Sequence, residues 1–179
     1  MSYPIHGARS LRPSARQQLT LFVSGVEAAS LESIRQRLDP VQFRLIPAHV
    51  TLCREDELAT RFGTDAVPLR QLAQHAPLEL HFGPPEVFDG HGVQLPCIEG
   101  ESAFHALRAA ILGSSNIRVP RAHITLAHPR NPRARENVPS TYASLVGTRP
   151  ITLSRLALIE QRGQGPWQVL DEMALVDGE

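Results

Sequence analysis

The sequence predicts an α+β fold: two pseudo-symmetric lobes with mainly antiparallel sheets around a central cleft, and helices outside. Three observations lead there. Short runs of β-forming residues alternate with amphipathic helical stretches, without the long crossovers that a parallel sheet needs. A seven-residue segment around His49 recurs around His123, 74 positions later. The length of 179 residues and the apolar fraction of 42% suit one domain-sized core.

Residues 1–16 carry Pro4, Gly7, Pro13 and three Arg and read as an N-terminal arm, leaving 17–179 as a single bilobal domain. Gln18–Ser24 reads as a strand. Glu27–Leu38 places Leu31, Ile34 and Leu38 on one helical face, and Pro40 is expected to end that helix. Phe43–Leu52 reads as a strand interrupted at Pro47. Asp56–His75 holds helical spacing in pieces, broken between Gly63 and Pro68. Three short extended runs follow, Leu78–Phe82, Glu86–Phe88 and Val93–Ile98, separated by Gly/Pro and Asp-Gly turns. Glu101–Leu112 is the next helix, with Phe104, Leu107, Ala110 and Ile111 on one face and Gly113 as its terminator. Ile117–Leu126 reads as a strand and Arg130–Gly147 as a loop. Thr152–Gln161 and Trp167–Val176 read as a closing pair of strands.

Composition removes several function classes. Lys+Arg 18 balances Asp+Glu 18, so the basic excess that grips a long duplex is missing. Every basic residue is Arg, which excludes Schiff-base chemistry and a P-loop lysine. No apolar run approaches the ~20 residues of a membrane span. Two Cys make no disulfide framework, and a cytoplasmic location is expected.

The repeat carries the chemistry. Ala48-His49-Val50-Thr51-Leu52 matches Ala122-His123-Ile124-Thr125-Leu126, with Pro47 and Pro120 just upstream. Strand, helix and motif strand recur in the same order in both halves. On a strand, side chains alternate, so His49 shares a face with Thr51, and His123 with Thr125. The motif strands are placed near 49–52 and 123–126. Two such faces across a cleft bring two imidazoles and two hydroxyls together. That set suits displacement at a phosphodiester: one His takes a proton from the attacking oxygen, the other gives one to the leaving oxygen. The Thr hydroxyls can hold the non-bridging phosphate oxygens, and no metal is then required.

With these motifs the sequence resembles the 2H phosphoesterases, in particular the branch of 2′-5′ RNA ligase-like proteins that act as RNA 2′,3′-cyclic phosphodiesterases. The resemblance spans roughly residues 18–176. It implies His49 and His123 as catalytic residues and Thr51 and Thr125 as phosphate ligands, with no cofactor and no metal. It implies hydrolysis of a 2′,3′-cyclic phosphate to a 2′-phosphate, His49 protonating the leaving O3′ while His123 activates water. The partners it implies are RNA ends or cyclic nucleotides, with no membrane, and the chain is expected to be a monomer. Members of the family often carry Arg five residues after the second motif His. Here that place is His128, with Arg130 two further on; its counterpart after the first motif is Arg54.

Arg54, His128 and Arg130 are therefore candidate substrate-binding residues. Strict alternation puts Arg54 and His128 on the face away from the site, so each is either a phosphate ligand or a surface charge. Cys53 falls on the site face by parity and reads as a small wall residue rather than a nucleophile. Arg118, Arg121, Arg130, Arg133 and Arg135 form a positive stretch without Asp or Glu, a candidate phosphate patch. Phe88, Tyr142 and Trp167 are candidates for stacking a base. Two other functions stand beside the cyclic phosphodiesterase: 2′-5′ cleavage or ligation of RNA, and a nucleotide-binding module without turnover.

Overall fold

The computed structural model describes residues 15–63, 65–90, 92–130, 142 and 149–176. The elements in chain order are β1 (Ala15–Phe22), α1 (Gly25–Leu38), α2 (Pro40–Leu45), β2 (His49–Cys53), α3 (Glu55–Phe62), α4 (Leu69–Leu72), β3 (Leu78–Phe82), β4 (Glu86–Phe88), β5 (Gly92–Glu99), α5 (Glu101–Leu112), β6 (His123–Ala127), β7 (Arg149–Leu153), β8 (Arg155–Arg162) and β9 (Trp167–Ala174). Two open antiparallel sheets result. The first has the order β2-β1-β8-β9. In the second, β6 pairs one edge of β5, while β4 and β3 share the other and β7 follows β3. Each motif strand thus stands at a sheet edge, next to the strand that opens its half.

The duplication is visible in the register. In the first sheet Leu21 pairs Val50, Phe22 pairs His49 and Thr20 pairs Thr51. In the second, Leu95 pairs Ile124, Pro96 pairs His123 and Gln94 pairs Thr125. Every one of these positions is offset by 74. Both ladders then slip at the same place, between Leu19 and Thr20 and between Val93 and Gln94, as a β-bulge does. The buried helix faces correspond as well: Leu31, Ile34, Arg35 and Leu38 of α1 match Phe104, Leu107, Arg108 and Ile111 of α5. One core unites Leu21, Val50 and Leu52 with Leu95, Ile124 and Leu126 beneath both helices.

Several expected boundaries move, for physical reasons. Phe43 and Leu45 lie in helix α2 rather than a strand. Pro40 opens that helix at its first turn, where no N–H is needed, and Asp39 caps it by accepting from Gln42 N at 2.9 Å. Residues 117–122 are not strand, so the second motif strand starts at His123 itself. The expected strand Thr152–Gln161 is two strands that change sheet at Ser154: β7 pairs β3, whereas β8 pairs β1. On α5, Arg108 rather than Ala110 completes the buried face. Gly113 does terminate α5, at φ 64°. Most of the expected loop 130–147 and residues 1–14 of the arm lie outside the described residues. Among the described residues no helix is long and apolar enough to cross a membrane.

Candidate active site

Alternation along β2 and β6 works as the motif demands. Val50 and Leu52, like Ile124 and Leu126, are buried in the core, while His49, Thr51, His123 and Thr125 are half-buried on the opposite face. The two motif strands touch across the boundary between the sheets. Each imidazole is set by the carbonyl two residues upstream. His49 Nδ1 lies 2.7 Å from Pro47 O and His123 Nδ1 lies 3.0 Å from Arg121 O. A carbonyl only accepts, so Nδ1 carries the proton in both rings and donates it. Nε2 is then the nitrogen available for proton transfer.

Each histidine also has an aromatic neighbour. Phe22 meets His49 edge-on at 6.4 Å between ring centroids, and Phe88 lies 6.3 Å from His123. Phe88 reaches that position across Gly92. A Cβ at residue 92 would stand 2.8 Å from the Phe88 ring and 2.7 Å from Pro129, so only glycine admits the approach. Burial pushes the His49 pKa down to about 4, and the nearby charges of Arg35 and His123 push the same way against the Pro47 hydrogen bond.

The backbone beneath the site is held by two buried arginines that sequence reasoning missed. Arg35 of α1 donates from Nε to Thr125 O at 3.2 Å and from Nη2 to Ile46 O at 2.8 Å. Arg108 of α5 donates to Leu52 O and pairs with Glu57 at 2.5 Å. Each helix therefore ties the motif strand of the other half. Acidic side chains fix the entry to each strand: Glu32 accepts from Ala48 N at 2.5 Å, and Glu101 from Ala122 N at 2.8 Å.

The remaining candidates fare differently. Arg54 is exposed at the turn into α3, where its N–H donates to Glu57 Oε2 at 2.9 Å. His128 and Arg130 form a pair past the end of β6: Arg130 N donates to His128 Nδ1 at 3.1 Å, and His128 N donates to Asp39 at 2.9 Å. Cys53 is not a wall residue. The bulge opposite Leu19 turns it into the core, and burial pushes its thiol up to about 12. The positive stretch is partly neutralised in space, since Arg118 pairs with Asp56 at 2.7 Å and Arg121 with Glu86 at 3.6 Å. Arg133 and Arg135 lie outside the described residues. Tyr142 is buried in the main core, so it is not presented to a base. Among the described residues no three His, Cys, Asp or Glu side chains are grouped as a metal ion requires.

A strand–helix–strand unit used twice, with a His-x-Thr edge strand in each copy, defines a 2H-type phosphoesterase framework. The chain belongs to the 2′-5′ RNA ligase superfamily, whose family model matches residues 22–165. Membership places it among enzymes of general phosphoesterase or 2′-5′ ligase type. No curated protein sequence matches it. Among solved structures, E. coli LigT complexed with 3′-AMP superposes with a TM-score of 0.51 and 14% identity, over 91% of this chain and 99% of that one. LigT complexed with phosphate gives a TM-score of 0.46 and 16% identity, over 93% and 99%. At 14% identity the first of these likenesses is one of fold.

Proposed function

We propose that the chain hydrolyses 2′,3′-cyclic phosphate ends of RNA or nucleotides to 2′-phosphates, by two-histidine acid–base catalysis without a metal. The observation that carries this reading is the matched pair of His-x-Thr strands, in one register, each presenting an imidazole Nε2 beside a hydroxyl. In-line displacement needs one proton removed from water and one delivered to the leaving O3′, on opposite sides of phosphorus. Thr51 and Thr125 donate hydrogen bonds to the non-bridging oxygens and hold phosphorus between the rings. That E. coli LigT was crystallised with 3′-AMP supports a ligand of nucleotide class.

The family resemblance makes His49 the acid and His123 the base. His49 must then be protonated in the complex, so the bound phosphate anion has to raise its pKa from about 4. That depressed value favours a second reading with the roles exchanged, in which neutral His49 accepts the proton from water. A substrate with a 3′-bridging sulfur separates the two, because thiolate leaves without a proton. Rescue of His49→Ala alone supports His49 as acid; rescue of His123→Ala alone supports the exchange.

Phosphorus NMR of a 2′,3′-cyclic nucleotide incubated with the chain in excess EDTA tests the reaction itself. A 2′-phosphate formed at an undiminished rate is expected. A dominant 3′-phosphate, or activity lost in EDTA and restored by zinc or manganese, overturns the reading.

A further inference from the structure

Both site histidines are fixed by the same short chain of groups. The Pro47–Ala48 peptide accepts the His49 Nδ1 proton on its oxygen at 2.7 Å, and its N–H donates to Glu32 Oε1. The Arg121–Ala122 peptide accepts from His123 Nδ1 at 3.0 Å, and its N–H donates to Glu101 Oε1 at 2.8 Å. A peptide unit is planar, so holding its N–H fixes the direction of its carbonyl. Each carboxylate thus governs, through one peptide, the acceptor that sets its imidazole. It also polarises that peptide, because hydrogen bonds in a chain strengthen one another.

Two features mark this arrangement as serving the rings rather than following passively from the duplication. The two peptides occupy the same place in the repeat, but the two glutamates do not. Glu101 opens α5, whereas Glu32 lies in the middle of α1. On the correspondence of Arg35 with Arg108, the α5 residue matching Glu32 is His105, and the α1 residue matching Glu101 is Ala28. Each half therefore brings an acid to the same N–H from a different turn of its helix. Glu32 is itself oriented, since its Oε2 pairs with Arg35 Nη1 at 2.6 Å, and that arginine is 1% exposed. In either catalytic role the neutral ring must carry its proton on Nδ1 and keep Nε2 for the transfer. The hydrogen bond at the first nitrogen decides this, and an imidazole held in the wrong tautomer is a poor catalyst.

We propose, resting on the reaction inferred above, that Glu32 and Glu101 are positioning residues, each holding its histidine in the Nδ1–H form through one peptide. Nitrogen-15 NMR of the labelled full chain reads the tautomer directly at pH 8.5, where an ordinary imidazole is neutral. Each ring is assigned by the loss of its signals in His49→Ala or His123→Ala. The wild type is expected to show Nδ1–H at both rings. Glu101→Ala is expected to convert His123 to a mixture with Nε2–H and to leave His49 as it was; Glu32→Ala does the reverse. On a 2′,3′-cyclic nucleotide, each variant is expected to lose about tenfold to a hundredfold in kcat while KM changes by less than about threefold, since a misaligned ring costs the transition state more than the bound substrate. Glu101→Gln, which keeps an acceptor oxygen, is expected to restore the tautomer and most of kcat. Glu32→Ala strands the buried Arg35 guanidinium; should it fold poorly by circular dichroism, the Glu101 variants decide the proposal. Nε2–H in the wild type, an unchanged tautomer at the ring concerned, wild-type kcat in a folded alanine variant, a loss confined to KM, or a glutamine variant no better than alanine overturns it. The spectra need no turnover, so a wild type inactive on cyclic phosphates fails the reaction while the tautomers still decide the positioning.

Discussion

Arg108→Met is expected to destabilise the fold strongly, and the structure says by how much. Arg108 is 1% exposed and Glu57 beside it 9%. The guanidinium pairs with Glu57, donates to Leu52 O in the first motif strand and reaches Arg118 O at 3.3 Å. Its presence holds the Glu57 carboxyl below the usual carboxylate range, although burial alone would raise it. Methionine fills most of the volume but takes the buried guanidinium from Glu57, which keeps only Arg54 N and Arg118 at 3.6 Å, and leaves the Leu52 carbonyl without this donor. Breaking a buried pair from one side costs about 3–5 kcal/mol. Removing both charges is a different perturbation, since an apolar replacement of a buried pair is often neutral. Arg108→Met with Glu57→Gln should therefore recover a large part of the loss. It should not recover all of it, because Leu52 O still lacks its donor and an orphaned buried acceptor costs about 1–3 kcal/mol. Urea unfolding of the wild type, both single variants and the double variant gives the coupling energy. A loss below about 1 kcal/mol for Arg108→Met, or strictly additive effects in the double variant, would refute the reasoning.

His49 makes stability depend on pH. Its pKa falls from 6.5 in the unfolded chain to about 4 in the fold, so between those values the unfolded state binds the extra proton. The resulting stability is present above about pH 6.5 and is lost as pH falls towards 4, on the order of 2 kcal/mol for a half-buried ring. Urea midpoints at pH 7.5 and pH 5 should converge in His49→Asn; an unchanged pH dependence contradicts the assignment. Thr51→Ala and Thr125→Ala should each lower kcat/KM by about 1–3 kcal/mol of transition-state stabilisation, as lost hydrogen bonds to a charged group. Steady-state kinetics on the cyclic nucleotide checks this, and wild-type kcat/KM in either variant removes that Thr from the site.

The part of the fold that repeats was the part legible in the sequence. His49, Thr51, His123 and Thr125 stood out because the matching residues around them recur at one spacing, and the register reproduces that spacing on both strands of each pair. Single-copy elements were harder. Phe43, Leu45 and Ile46 look β-forming, and only Asp39 and Pro40 signal the cap and first turn of a helix. The change of sheet at Ser154 has no local signature, because both strands are extended and only their partners differ. Arg35 and Arg108 were overlooked because arginine is ordinarily a surface residue. A signal was nevertheless present: both occupy the same place in the apolar stripe of their helices, directly after Ile34 and Leu107. Acidic partners distant in sequence also hid the partial neutralisation of Arg118 and Arg121.

The central claim is that two strands from two halves of the chain make one catalytic site. Single-turnover rates on a 2′,3′-cyclic phosphate test it most directly, measured for His49→Ala, His123→Ala and the double variant, with folding confirmed by circular dichroism. The account predicts that each single variant loses about 10²–10⁴-fold in rate. It also predicts that the double variant is far less impaired than the product of the two losses, because the residues act as a unit. A folded single variant that turns over every active substrate at near the wild-type rate would contradict it.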